Sequence, residues 1–145
     1  MEKKFIDVMN RSQAEAHVGN LFTVMISISG PNKPAQLNGT WLDVLRLEFD
    51  DISHGDAVKN HYQWFDHGQA EEIIDFANQY KCNHFLVHCD AGFSRSIAVG
   101  MWLKRFFDEQ GFDCCLKTHA IGHNQFANGH VISTLNYAMN KRIYS

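Results

Sequence analysis

The sequence predicts an α/β fold with a central, largely parallel sheet flanked by helices. Three observations carry that prediction. Short apolar runs with strand periodicity alternate along the chain with segments of helical periodicity. The 145 residues suit one compact domain large enough to bury its own core. No internal repeat, low-complexity tract or Pro/Ser-rich linker divides the chain, so residues 1–145 read as a single domain.

The elements follow in order. Ser12 with Glu15 three residues on is a capping-box pattern and predicts a short helix over 12–18. LFTVMISI (21–28) alternates Phe22, Val24, Ile26 and Ile28 and predicts a strand, ended by Gly30, Pro31 and Pro34. VLRLEF (44–49) alternates Leu45, Leu47 and Phe49 and predicts a second strand. The polar stretch 50–66 is long for a connection, which marks it as a candidate functional loop. Asp66 suits the cap of a helix reaching about Tyr80, with Ala70, Ile73, Ile74 and Ala77 on one face. HFLV (84–87) predicts a buried strand. Arg95 to Gln110 predicts a helix with Val99, Trp102, Leu103 and Phe106 inward and Gly111 as its stop. A last helix is predicted over 129–141, capped by Asn128, with Ile132, Leu135 and Met139 on one face.

The net charge of -3 gives no general attraction to nucleic acid or to an anionic membrane. No apolar run reaches the ~20 residues that span a bilayer, and MEKKFIDVMNRS lacks the apolar core of a secretory signal. Cys82, Cys89, Cys114 and Cys115 fit neither a disulfide framework nor a CxxC zinc site. The expectation is a reducing, cytoplasmic setting in which a thiol is available for chemistry.

The chemistry concentrates in HFLVHCDAGFSRSIAVG (84–100), where a strand, a short loop and a helix follow one another without a break. Backbone amides of Asp90, Ala91, Gly92, Phe93 and Ser94 are expected to converge into an anion nest, reinforced by the positive end of the helix. Gly92 supplies backbone freedom or close approach at the centre of the loop. Cys89 sits at the mouth of that nest, where the dipole and an adjacent cation favour thiolate over thiol. Arg95 offers a planar fork for two oxygens of a phosphate. Ser96 is placed to hydrogen-bond the Cys89 sulfur, and His88 is expected beneath the loop, orienting it.

HCDAGFSRS resembles the HCxxGxxRS signature of the protein tyrosine phosphatases, closest to the small dual-specificity branch, and matches it at every fixed position. LRLEFDD followed by a loop and an amphipathic helix is similar to the family's general-acid region. FANGHVISTLNYAM resembles its C-terminal helix entry, with Ala127 where a Pro is usual and Asn128 matching the Asn. The likeness runs from about Leu21 to Asn140. It implies hydrolysis of phosphotyrosine, with phosphoserine and phosphothreonine as further substrates, through a phosphocysteine on Cys89. Arg95 and the loop amides of 90–95 would hold the phosphoryl oxygens, and an Asp would protonate the leaving oxygen. That acid aligns best with Asp51, with Asp50 and Asp56 as alternatives, because the loop 52–66 looks like it carries an insertion. The resemblance implies no cofactor and a phosphorylated protein or peptide as partner. A phosphoinositide or RNA 5′-phosphate phosphatase of the same fold is an alternative; Asp90 and the absence of Lys in the loop disfavour the lipid substrate, and the overall acidity disfavours RNA. A phosphate-binding pseudoenzyme is another, disfavoured by intact Cys89, Arg95 and Ser96.

The remaining candidates have plainer readings. Cys82, Cys114 and Cys115 are expected to be structural or incidental. His84 and His88, or His119 and His123, lack a carboxylate or Cys to complete a metal set, so no metal is expected. His54, His61 and His67 are expected as exposed loop residues. Trp64 and Phe65 suit either a substrate ring or an aromatic anchor that ties the loop to the core.

Overall fold

The computed structural model describes residues 3–52, 62–91, 94–118 and 127–144. Nine elements follow in chain order: β1 (Lys4–Asn10), α1 (Arg11–Ala16), β2 (Thr23–Ser29), β3 (Asp43–Glu48), α2 (His67–Gln79), β4 (His84–Cys89), α3 (Arg95–Glu109), β5 (Cys114–Thr118) and α4 (Gly129–Tyr144). The strands form one sheet in the order β3-β2-β4-β1-β5, and every pairing is parallel. The predicted α/β class with a parallel sheet is thus the observed one. No helix among the described residues is long and apolar enough to cross a membrane.

Helices cover both faces, so the inner strands are apolar on both sides. On one face α2, α3 and α4 enclose the main core, built on Ile6, Val24, Ile26, Phe85 and Val87 from the sheet and Ile73, Ile74, Leu103, Phe107 and Leu135 from the helices. On the other, Met9, Met25 and Leu86 pack under Ala14 of α1 and the segment carrying Leu37, Trp41 and Val44. The β1 to β2 connection therefore passes β4 on the α1 face, and the β4 to β5 connection passes β1 on the α3 face. The connections that follow the neighbouring parallel strands β1 and β4 therefore turn to opposite sides of the sheet. In parallel sheets such a switch opens a crevice at the carboxyl ends of the strands, and Cys89 lies there, in register with Asn10.

Three sequence expectations need correction. The N-terminal helix covers Arg11–Ala16, not 12–18, and its capping box is Asn10 with Gln13 rather than Ser12 with Glu15. The central strand β1 and the edge strand β5 were not expected as strands. Lys4 hides β1: its ammonium is buried over the rings of Phe85, Phe107 and Phe112, at 4.8, 4.0 and 5.6 Å, and donates to the carbonyls of Lys81 and Asn83. Burial outweighs neighbouring charge and lowers the Lys4 pKa to about 8.

The α3–sheet contact depends on Gly100. A Cβ there would lie 2.7 Å from Cγ2 of Val8 and 3.2 Å from Cδ1 of Leu116. Val8 is fully buried and stiff at χ1, so it has little room to yield. Gly100→Ala is therefore expected to lower stability by about 1–2 kcal/mol, because overpacking exceeds the helix-propensity gain of ~1 kcal/mol. Urea denaturation checks this, and an unchanged or raised midpoint would refute it.

Candidate active site

The site forms where β4 gives way to α3. Four successive residues of β4, Phe85 to His88, are buried, and the strand delivers Cys89, itself 1% exposed, to the carboxyl edge of the sheet. The loop continues through Asp90 and Ala91 to Ser94, which caps α3 without a side-chain bond to it. Gly92 and Phe93, at the centre of the expected amide nest, lie outside the described residues.

The first turn of α3 carries two of the expected groups. Ser96 is fully buried, and its Oγ lies 3.1 Å from Cys89 Sγ. Arg95 is buried with its guanidinium fixed at one corner: Nη1 donates to the carbonyl of Phe49 at 2.8 Å. Nη2 reaches Asp90 Oδ2 at 3.3 Å. Nε is buried and has no partner among the described residues. A buried guanidinium donor left unpaired is costly, and Nε with Nη2 forms the side-on edge that suits two oxygens of one anion.

His88 is fully buried beneath this loop. Its Nε2 lies 2.6 Å from Ser27 Oγ on β2 and its Nδ1 3.4 Å from the carbonyl of Cys89. Burial is the main influence and lowers its pKa, so the ring is neutral and serves as a hydrogen-bonded brace between β2 and the start of the loop.

The two acids after β3 part company. Asp50 accepts from the amide of Gln63 at 2.7 Å, and its own amide donates to the Gln63 carbonyl, so it closes the base of the 50–63 segment. Asp51 turns to the loop: Ser94 Oγ and Asn128 Nδ2 both donate to its Oδ1 at 2.8 Å. Asp56, His54, His61, His119 and His123 lie outside the described residues.

Asn128 does more than the cap expected of it. Its Oδ1 accepts from Val131 N at 3.1 Å, which caps α4, while Nδ2 also donates to the Ile52 carbonyl and its amide to the Ser94 carbonyl. One residue thus joins the acid-bearing segment, the loop and α4. Phe65 is buried and packs on Phe49 with ring centroids 4.8 Å apart, so it anchors its loop to the core. Trp64 sets its ring edge against His130 at 4.9 Å. His67 pairs with Glu71 at 3.2 Å on α2.

Elsewhere, Cys82 is exposed and Cys115 half-buried. Burial pushes the Cys114 thiol up to about 11, which keeps it protonated and unsuited to nucleophilic work. Among the described residues no cluster of His, Cys, Asp or Glu could hold a metal ion. Compared with models of protein families, with curated proteins and with solved structures, the chain matches none. What the site can do follows from its own groups: a buried thiol, a fixed cation with one buried donor unpartnered among the described residues, a hydroxyl on the sulfur and a carboxyl group across the loop.

Proposed function

We propose that the protein is a phosphoric monoester hydrolase that dephosphorylates phosphotyrosine in proteins or peptides, with phosphoserine and phosphothreonine as further substrates. The observation that carries this reading is the buried Arg95 edge, with Nε unpartnered among the described residues, on the same loop and helix turn that hold Cys89 and Ser96. A carboxylate ligand would also satisfy one arginine edge. A tetrahedral dianion better matches that edge together with a helix N-terminus.

The chemistry is two displacements at phosphorus. The Cys89 thiolate attacks in line, the S–P bond forms, and the P–O bond to the phenolic or alkyl oxygen breaks. The departing oxygen takes a proton from Asp51, with Oδ1 held by Ser94 and Asn128 and Oδ2 carrying the proton. Water then attacks phosphorus and gives its proton to Asp51 as the S–P bond breaks. Ser96 Oγ hydrogen-bonds the leaving sulfur and eases that second departure. Arg95 balances charge on the transferring oxygens in both steps.

The acid assignment makes a graded prediction. Asp51→Asn is expected to slow hydrolysis of phosphotyrosine peptides by about 10²–10⁴-fold, and that of an activated aryl phosphate much less, because a good leaving group departs without a proton. Asp50→Asn should leave that leaving-group dependence intact. The reverse pattern would move the acid to Asp50, and no effect from either would point to the 53–61 segment, with Asp56 first.

The groups assigned here need no metal. Activity is expected to be unchanged by prolonged treatment with a chelator. Restoration of a chelated enzyme only by zinc or magnesium would overturn the cysteine mechanism. A substrate panel of phosphopeptides, phosphoinositides and 5′-phosphorylated RNA tests the substrate class. Preference for either non-protein substrate would replace the phosphoprotein reading.

A further inference from the structure

Asp90 stands beside the nucleophile with its carboxylate shared between two cations. Oδ2 lies 3.3 Å from Arg95 Nη2, and Oδ1 lies 3.5 Å from Arg11 Nη1. Both distances exceed the ~2.7–2.9 Å of a strong charge-assisted bond, so the carboxylate is divided between the two and committed to neither. The Asp90 side chain is 42% exposed, whereas that of Arg95 is 7% exposed. The carboxylate is the solvent-facing member of that pair.

Arg11 is fixed by other partners. Its Nη1 donates to the Lys33 carbonyl at 2.6 Å, Nη2 to the Pro34 carbonyl at 2.7 Å, and Nε to Glu15 at 3.3 Å. Its amide donates to the Asp90 carbonyl at 3.2 Å, which ties the start of α1 to the loop. With all three of its nitrogens engaged by this chain, Arg11 presents no edge of two free nitrogens to a substrate. It offers Asp90 a second cation at a set position.

Resting on the phosphatase reading above, we infer that the Asp90 carboxylate is an internal competitor with phosphate for the Nε/Nη2 edge of Arg95. Arg11 is the positioning residue that accepts Asp90 when phosphate takes that edge. The competition is unavoidable on charge grounds. A phosphate dianion gripping Nε and Nη2 shares Nη2 with the Asp90 carboxylate, and two anions within ~4 Å of each other repel. The consequence is functional. Inorganic phosphate, the product, is retained less tightly than an unopposed arginine and helix N-terminus would retain it.

Titration of the full-length chain with inorganic phosphate, at fixed pH and ionic strength, tests this with four proteins: wild type, Asp90→Asn, Arg11→Gln and the double variant. Asp90→Asn keeps the side-chain shape and removes the charge, and is expected to bind phosphate about tenfold more tightly. Arg11→Gln is expected to weaken binding about threefold, since Arg95 becomes the only cation left to Asp90. In the double variant that weakening should vanish, which a merely structural role for Arg11 would not produce. Asp90→Asn binding no more tightly than wild type overturns the inference, and this comparison decides even if Arg11→Gln does not fold. A loss from Arg11→Gln that persists beside Asp90→Asn overturns the role of Arg11. If neither wild type nor Asp90→Asn binds phosphate at all, the phosphatase reading itself falls, an outcome distinct from equal binding by both.

Discussion

Replacing Cys89 by Ser is expected to abolish turnover, by at least about 10⁴-fold, while oxyanions still bind. The size of the effect follows from the arrangement. Cys89 Sγ lies against Ser96 Oγ at the start of α3, and a serine hydroxyl in its place is a far weaker nucleophile than a thiolate at neutral pH; the neighbouring ring of His88 is turned to Ser27 rather than to that position. Oxyanion binding should survive because Arg95 and the loop amides supply it. Steady-state hydrolysis of an aryl phosphate and titration with inorganic phosphate measure the two separately. Near wild-type hydrolysis by Cys89→Ser would remove the nucleophile from the mechanism.

Arg95→Lys is expected to cost about 10²–10³-fold in kcat/KM, although the formal charge is kept. The guanidinium gives Nη1 to the Phe49 carbonyl and still has Nε unpartnered among the described residues, beside an Nη2 that Asp90 holds only at 3.3 Å. A lysine ammonium is a single point: bound to Phe49 it cannot span two phosphoryl oxygens, and bound to phosphate it leaves a buried carbonyl unsatisfied. Kinetics with phosphotyrosine peptide should show the loss, with thermal unfolding confirming the fold. A fall of less than about threefold would mean that Arg95 is a structural cation.

The sequence made the strand–loop–helix unit legible because each of its parts is strongly marked. HFLV is an apolar run, and the helix from Arg95 has a clear inward face and a stop at Gly111, whose φ of 91° is one that glycine adopts without strain. The helix after Asp66 was equally plain, and its capping box with Gln69 is formed. β1 escaped notice because KFIDVMN places Lys4 and Asp7 in a central strand, and the rings that shelter Lys4 come from β4, α3 and the segment that follows it. CCLKT is short and ends in polar residues. The wrong cap at Ser12 follows from the same omission: once β1 runs to Asn10, that residue has the extended backbone a cap requires, with φ -83° and ψ 173°.

Within the site, the order of Cys89, Arg95 and Ser96 was readable because the three are neighbours in sequence. The choice between Asp50 and Asp51 turned on which side of an exiting strand faces the loop, and residue spacing alone leaves that register open. The link from Arg11 to Asp90 could not be read at all. It joins residues 79 apart through the pairing of β1 with β4.

The central claim is that a phosphoryl group passes through Cys89. Mixing Asp51→Asn enzyme with an activated aryl phosphate, then quenching with denaturant, tests it most directly. In that variant the intermediate forms readily but waits for a poorly activated water. Mass spectrometry of the quenched protein is expected to show one added phosphoryl group on the peptide containing Cys89, rising within the first turnover and absent from Asp51→Asn/Cys89→Ser. Release of the phenol with no phosphorylated enzyme at any time, or a phosphoryl group on another residue, would contradict the account.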